Sequence, residues 1–177
     1  TRIAAILTEY RPNTHADVMV DKFLRGFPTD EGLIAPRVQI ASMYLDQVNP
    51  GDIGVQTARA FGVPIYPSIL RALTLGGDDL AVDGVLIVGE HGDYPRNEKG
   101  QKLYPRRYFF EQVAGVISTA GRAIPVFSDK HLSYNWGDAL WMVQRARELS
   151  MPLMAGSSLP TCWRSPFTEV PLGARLE

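Results

Sequence analysis

Runs of adjacent apolar residues alternate along this chain with segments whose apolar residues recur at helical spacing. The opening run, residues 3–7, is apolar throughout, which is typical of a strand buried on both faces of a parallel sheet. The same pattern predicts six strands, at residues 3–7, 38–44, 63–66, 83–89, 123–127 and 152–155. Pro64 favours an edge position for the third strand, because proline cannot donate to a strand ladder.

Helical periodicity separates most of these strands. The first helix is expected between Thr14 and Gly26, and the others at residues 51–61, 68–75, 105–121 and 135–149. Four aromatic side chains of the last two helices are expected in the core or in packing contacts: Phe109, Phe110, Trp136 and Trp141. Because parallel neighbours need crossover connections, the pattern predicts an α/β fold with a doubly wound, mostly parallel six-stranded sheet and helices on both faces.

The predicted domain covers residues 1–158, and residues 159–177 are interpreted as an exit linker or the start of a second domain. A polar, proline-containing stretch at residues 90–104 is too long for a tight connection, and long ordered loops are often functional. The chain opens directly on a strand pattern, so no signal peptide is expected.

The composition indicates which partners and which cellular compartment are expected. The net charge of −1 gives no indication of a nucleic-acid partner or an anionic membrane surface. No apolar run reaches the length of about 18 residues that a transmembrane helix needs. The single cysteine, Cys162, excludes an internal disulfide, fits a reducing cytoplasm, and is interpreted as a structural or incidental thiol rather than a nucleophile.

Polar residues follow the predicted strands at their carboxyl ends, where open α/β sheets bind ligands. These segments are residues 8–11, 46–47, 90–93, 128–131 and 157–158. All three histidines of the chain, His15, His91 and His131, lie within a few residues of a predicted strand end. The sequence therefore predicts one polar rim that gathers groups suited to proton transfer.

Each candidate in this rim has a functional and a structural interpretation. His91 follows the central strand, where a neutral imidazole suits proton transfer near pH 7, although a histidine bonded to loop backbone has the same pattern. Lys130 would hold a substrate oxygen or polarise a carbonyl, or else form a surface salt bridge. His15 lies in a helix first turn, where it contacts an anion or merely caps the helix.

Arginines and metal-ligand types leave further alternatives open. Arg96, Arg106 and Arg107 flank the long loop and would clamp an anionic substrate, although such arginines are more often solvated. Four residues have side chains of metal-ligating type: Glu90, His91, Asp129 and His131. No HxH, HExxH or CxxC spacing is present, and no metal site is predicted.

Four segments together resemble the amino-terminal half of the Gfo/Idh/MocA-type sugar oxidoreductases. They are the opening strand and helix at residues 2–24, the run Ala60-Phe61-Gly62-Val63-Pro64-Ile65-Tyr66 within 58–73, the strand Val82-Asp83-Gly84-Val85-Leu86-Ile87, and the loop Ser128-Asp129-Lys130-His131 with the helix and strand that end at residue 156. Their order and spacing are similar to the family's over roughly residues 2–158.

This resemblance implies a Rossmann-like domain that binds NAD or NADP and transfers a hydride to or from a sugar, polyol or related small hydroxy compound. It implies Lys130 and His91 as catalytic residues, and Asp46 as the ribose-holding acid. Residues expected to contact the cofactor are Thr8, Tyr10, Arg11, Thr14, His15, Asp46 and Glu90. Residues expected to contact the substrate are Asp93, Arg96, Asp129 and His131. With the family's second domain present, a homo-oligomer is expected.

The first loop departs from the family, which has GxGxxG after the first strand. Residues 8–15 contain no glycine, Glu9 adds negative charge, and Pro12 removes a backbone donor. Two alternatives therefore stand beside the oxidoreductase: a cofactor-free or metal-assisted lyase, isomerase or hydrolase on the same fold, and a non-catalytic ligand-binding module.

Overall fold

The computed structural model describes residues 1–157, 171–173 and 175 of the chain. The elements follow in the order β1 (Arg2–Leu7), α1 (His15–Arg25), β2 (Phe27–Thr29), β3 (Gly32–Ile34), β4 (Gln39–Leu45), α2 (Gly54–Ala60), α3 (Ile69–Thr74), β5 (Gly84–Val88), α4 (Arg106–Ala120), β6 (Val126–Asp129), α5 (Trp136–Glu148) and β7 (Leu153–Gly156). The predicted strands and helices are therefore largely present, and Cys162 lies outside the described residues.

The main sheet has five parallel strands in the order β4-β1-β5-β6-β7. The prediction of six strands is wrong, because residues 63–66 form only one bridge, between Ile65 and Met43 of β4. Two backbone hydrogen bonds hold this bridge: the Met43 amide donates to the Pro64 carbonyl, and the Tyr66 amide donates to the Met43 carbonyl. Pro64 has no amide hydrogen to donate, so the pairing does not extend into a ladder. The edge position expected for this segment is nevertheless the one it has.

Helices cover both faces of the sheet. Ala4 and Ile6 of β1 pack in one buried apolar cluster with residues of α3, α4 and α5, whereas Ala5 and Leu7 pack in a second cluster with residues of α1 and α2. This alternation follows from the period of two along a strand. It explains why the central strands are apolar on every position, and it confirms the doubly wound arrangement of layers.

Two local features differ from the sequence-based expectation. The strands β2 and β3 form a small antiparallel hairpin that was not predicted. Phe109 and Phe110 are fully buried as expected, but Trp136 is 80 % exposed at the start of α5, so its prediction as a core residue is wrong. None of the helices described here is long and apolar enough to cross a membrane.

The strand order places the site. The chain passes from β1 to β4 on one side and returns to β5 on the other side of β1. Ligands of open α/β sheets bind outside the carboxyl ends of the strands at such a reversal. Here those ends are Thr8 after β1, Gly89 after β5 and Lys130 after β6.

Candidate functional site

Arg106 is the most buried cation of the rim. Its side chain is 2 % exposed, and its guanidinium donates through one terminal nitrogen to Glu90 Oε2 and through the other to His131 Nε2, at 2.9 Å from the latter. The guanidinium also lies over the Tyr104 ring, 5.1 Å from its centre. Because arginine only donates, Nε2 of His131 is the acceptor and the proton of the neutral ring is on Nδ1. One buried side chain therefore fixes both Glu90 and His131.

Glu90 connects the ends of three strands. Its backbone carbonyl accepts from Thr8 Oγ1 at 2.5 Å, and its Oε1 lies 3.3 Å from Lys130 Nζ. Lys130 has φ 65°, and His91, which follows Glu90, has φ 68°. Both backbones are therefore in the left-handed region, which is uncommon outside glycine. Such strained positions concentrate at functional sites, which is consistent with a built site at these strand ends.

His15 and Asp129 form a carboxylate–imidazole pair. Nδ1 of His15, in the first turn of α1, lies 2.6 Å from Oδ2 of Asp129, the last residue of β6. The Asp129 side chain is 7 % exposed, whereas that of His15 is 36 % exposed. A carboxylate only accepts, so Nδ1 carries the proton and Nε2 of the neutral ring is left as the basic atom. This is the bonding pattern of a carboxylate-oriented general base.

His91 and His131 are held in their neutral forms. The His91 ring lies 5.8 Å from the His15 ring, centre to centre, and its Nδ1 is buried with no hydrogen-bond partner within the described part of the chain. Burial lowers the pKa of His91, and His15 and Lys130 act in the same direction, against Glu90. Burial and the Arg106 charge likewise lower the pKa of His131. Both rings are therefore neutral near pH 7.

A cleft of about 620 Å³ opens beside these groups, and His15, Asp129 and Lys130 are among its lining residues. The cleft lies beside α1, on the face of the sheet that α1 covers. Within the described residues, no helix covers β6 and β7 on this face. The carboxylate–imidazole pair and the lysine ammonium thus border the same space, which is large enough for a small organic molecule.

Asp46, the acid expected to hold a ribose, is bonded within the protein. Its two carboxylate oxygens accept from the hydroxyls of Tyr44 and Tyr94, at 2.7 Å and 2.6 Å. Gln47 fixes the same loop, because its amide nitrogen donates to the Asp93 carbonyl and its oxygen accepts from the Asp93 amide. The long loop at residues 90–104 is therefore folded over the end of β4.

The first loop does not form a pyrophosphate cradle. The Tyr10 amide donates to Asp52, the Asn13 amide to Asp17 and the Thr14 amide to the Arg11 carbonyl, and Pro12 has no amide hydrogen. A glycine-rich turn instead leaves its amides free for phosphate oxygens. Glu9 adds a carboxylate that is buried at the end of β1, with one oxygen 2.7 Å from Arg11 Nε.

These observations together show a poor fit to a dinucleotide bound in the usual way of this fold. Its pyrophosphate would meet loop amides that already donate within the protein and the carboxylates of Glu9, Asp17 and Asp52. Its ribose would meet an acid covered by two tyrosine hydroxyls. The residues at these strand ends therefore do not fit NAD or NADP in that position.

The remaining predicted site residues take structural positions. Tyr10 is fully buried, and the Thr14 hydroxyl donates to the Arg11 carbonyl. Arg96 donates to the Gly100 carbonyl within its own loop, and Arg107 pairs with Asp138 of α5. Of the three predicted clamping arginines, only Arg106 bonds to the groups of the rim. No group of three or more His, Cys, Asp or Glu side chains is placed to hold a metal ion in the described ranges.

Comparisons with known proteins place the chain at the level of fold. No family model matches the chain, and no curated protein matches it. Among solved structures, biliverdin reductase of Synechocystis in complex with biliverdin and NADP+ is 19 % identical, with a TM-score of 0.51; the match covers 87 % of this chain and 37 % of that one.

Two further structures are similar to the same extent. GenD2 from gentamicin A biosynthesis, in complex with NAD, is 20 % identical with a TM-score of 0.53, and the match covers 88 % of this chain and 34 % of that one. A putative dehydrogenase of Bordetella bronchiseptica is 13 % identical with a TM-score of 0.55, over 88 % of this chain and 31 % of that one. The chain thus spans about a third of the length of these structures and has the fold of part of them.

Proposed function

We propose that this domain binds a small molecule in the cleft beside His15 and transfers a proton on it, without a dinucleotide. The observation that carries the proposal is the pairing of the partly exposed His15 with the buried Asp129 at the wall of that cleft. An imidazole held by a carboxylate is oriented to act as a general base, and Lys130 borders the same space with a positive charge.

The reaction class that suits these groups is proton abstraction next to a carbonyl. His15 Nε2 takes the proton from carbon, the electron pair of the broken C–H bond forms a carbon–carbon double bond, and the π pair of the carbonyl moves onto its oxygen. The Lys130 ammonium, which lies 3.3 Å from Glu90 Oε1 and borders the same cleft, offsets the negative charge that develops on the carbonyl oxygen. Return of a proton to the same carbon completes an exchange. Where that carbon carries a hydroxyl, return of the proton to the former carbonyl carbon, with the hydroxyl proton passing to the former carbonyl oxygen, completes an isomerisation with no further reactant.

Deuterium exchange tests this proposal. The chain is incubated in D2O with 2-oxobutanoate and with 4-phenyl-2-oxobutanoate, and loss of the C3 proton is followed by NMR. We expect exchange above the buffer rate and a decrease of about a hundredfold in His15→Gln, since a general base contributes about 10²–10⁴. Lys99→Met, an exposed change in the long loop, serves as the matched control. No acceleration with either compound, or a wild-type rate in His15→Gln, refutes the proposal.

The second candidate is the NAD(P)-dependent oxidoreductase of the Gfo/Idh/MocA type, acting on a sugar, polyol or related hydroxy compound. The fold likeness to structures that hold NADP+ and NAD favours it. The bonded first loop and the covered Asp46 oppose it. Titration with NADH and NADPH, followed by cofactor fluorescence, separates the two candidates: saturable binding favours the oxidoreductase, and no binding at millimolar cofactor favours proton transfer alone.

A further inference from the structure

The cleft beside His15 has an apolar wall in addition to its reactive groups. Val18 and Met19 of α1 form one side, and Phe127 of β6 and Met154 of β7 form the other. Phe127 and Met154 are paired in register across the two strands, and so are Asp129 and Gly156 two residues further on. Paired positions two residues apart point to the same face of a sheet, so the apolar wall leads directly to the carboxylate–imidazole pair.

These apolar side chains are accessible to a ligand. Val18 is 49 % exposed and Met154 is 64 % exposed, while Met19 and Phe127 are partly buried against the core. A ligand with a hydrocarbon part would remove this surface from water, at about 25 cal/mol per Å² of apolar area. A compound whose surface is mainly hydroxyl groups would instead lose hydrogen bonds to water along this wall.

The charged groups of the cleft favour an anion. Lys22 of α1 and Lys130 are its two lysines, and Asp129 is the one carboxylate among its lining residues, where it is engaged by His15. Glu90, which contacts Lys130 from the loop after β5, is itself paired with the buried Arg106. Lys130 therefore presents a positive charge to the cleft that Glu90 offsets only in part.

We infer that the ligand of this cleft is a small amphiphilic carboxylate, with its anionic end at Lys130 and its hydrocarbon part along Val18, Met19, Phe127 and Met154. The inference rests on the proposed function and names the substrate class for the same site. In that arrangement the carbon next to the carbonyl or carboxylate group lies at the reactive end of the cleft, beside His15.

Binding of three unreactive probes tests the inference by calorimetry or NMR. The probes are 3-phenylpropanoate, its neutral amide 3-phenylpropanamide, and acetate, which has the charge without the hydrocarbon part. We expect 3-phenylpropanoate to bind at least about tenfold more tightly than either of the others, a difference of about 1.4 kcal/mol. Lys130→Met should remove most of this preference over the amide. Lys22→Met should reduce it less, because Lys22 lies two turns along α1 from His15, and Lys99→Met should retain it.

The outcomes separate this inference from the proposed function. Preferential binding of 3-phenylpropanoate without deuterium exchange on the 2-oxo acids upholds the ligand class and refutes the catalytic proposal. Equal binding of acid and amide, binding of acetate as tight as that of the larger acid, or no binding of any probe overturns the inference. So does a preference for the acid that survives in both lysine variants.

Discussion

Replacement of Arg106 should destabilise the chain far more than replacement of its neighbour Arg107. Both arginines begin α4 and both pair with a carboxylate, but the Arg106–Glu90 pair is 2 % and 16 % exposed, whereas the Arg107–Asp138 pair is 30 % and 29 % exposed. Arg106→Met and Arg107→Met keep an unbranched stem of similar length and each removes one guanidinium, so the two variants differ mainly in the burial of the ion pair that is broken.

The expected magnitudes follow from this difference in burial. Removing one partner of a buried pair costs about 3–5 kcal/mol, and the residual contact of Glu90 with Lys130 at 3.3 Å places the loss near about 3 kcal/mol. An exposed pair contributes about 0.2–1 kcal/mol. Arg107 also lies 3.6 Å from the centre of the Trp141 ring, so its loss should approach about 1 kcal/mol.

Urea denaturation followed by tryptophan fluorescence measures both variants. The double variant Arg106→Met with Glu90→Gln should recover at least about 1 kcal/mol relative to Arg106→Met, because the unpaired carboxylate is then gone. Equal losses for the two single variants would refute the reasoning, and so would a double variant whose losses simply add.

Three further changes test other parts of the structure. The lowered pKa of His131 means that the unfolded chain takes up a proton first as the pH falls below 6.5, so stability should fall there, and His131→Gln should flatten that part of the stability profile measured by thermal unfolding. Gly89→Ala would bring a Cβ to 2.6 Å from Arg106 Cγ and should cost about 1–3 kcal/mol, whereas Gly115→Ala, in the open on α4, should gain about 0.5–1 kcal/mol in the same denaturation assay. Asp52→Ala removes the acceptor of two backbone amides and should cost about 1–2 kcal/mol; an unchanged midpoint would contradict that bonding.

The apolar patterning was sufficient to predict the parallel strands, and the physical reason is simple. A strand buried on both faces is apolar at consecutive positions, and this pattern predicts the strands at residues 3–7 and 84–88. The hairpin of β2 and β3 has strands of only three residues, whose positions are all exposed, so it has no periodic pattern to detect. The available signal was Asp30 and Glu31 in its turn, followed by Gly32 at the start of β3.

The rim could be predicted in part. The rule that ligand groups follow parallel strands brought His15, His91 and Lys130 into one expected region, and the structure brings them together there with Glu90 and Asp129. The central position of Arg106 was missed, because arginines at a helix start are usually solvated. Its spacing was the available signal, since residues 106, 110, 113 and 117 share one face of α4 and the last three are core residues.

The poor fit to a dinucleotide could be predicted only from the glycines that the first loop lacks. The absence of glycine from residues 8–15 was visible in the sequence, and it correctly indicated that the first loop differs from a phosphate-binding turn. The bonds from Tyr44 and Tyr94 to Asp46 were not visible, because Tyr94 reaches Asp46 from a loop 48 residues away along the chain.

Histidine NMR tests the central claim most directly, since the chain has three histidines, of which His15 lines the cleft and His91 lies 5.8 Å from His15, ring centre to ring centre. With ring-labelled histidine, and with the His15 signal identified by its loss in His15→Gln, the account predicts that 3-phenylpropanoate shifts the His15 resonance. It also predicts that NADH and NADPH at millimolar concentration leave all the resonances unchanged. A saturable shift of His15 or His91 with either nucleotide, and none with the acid, would contradict the account.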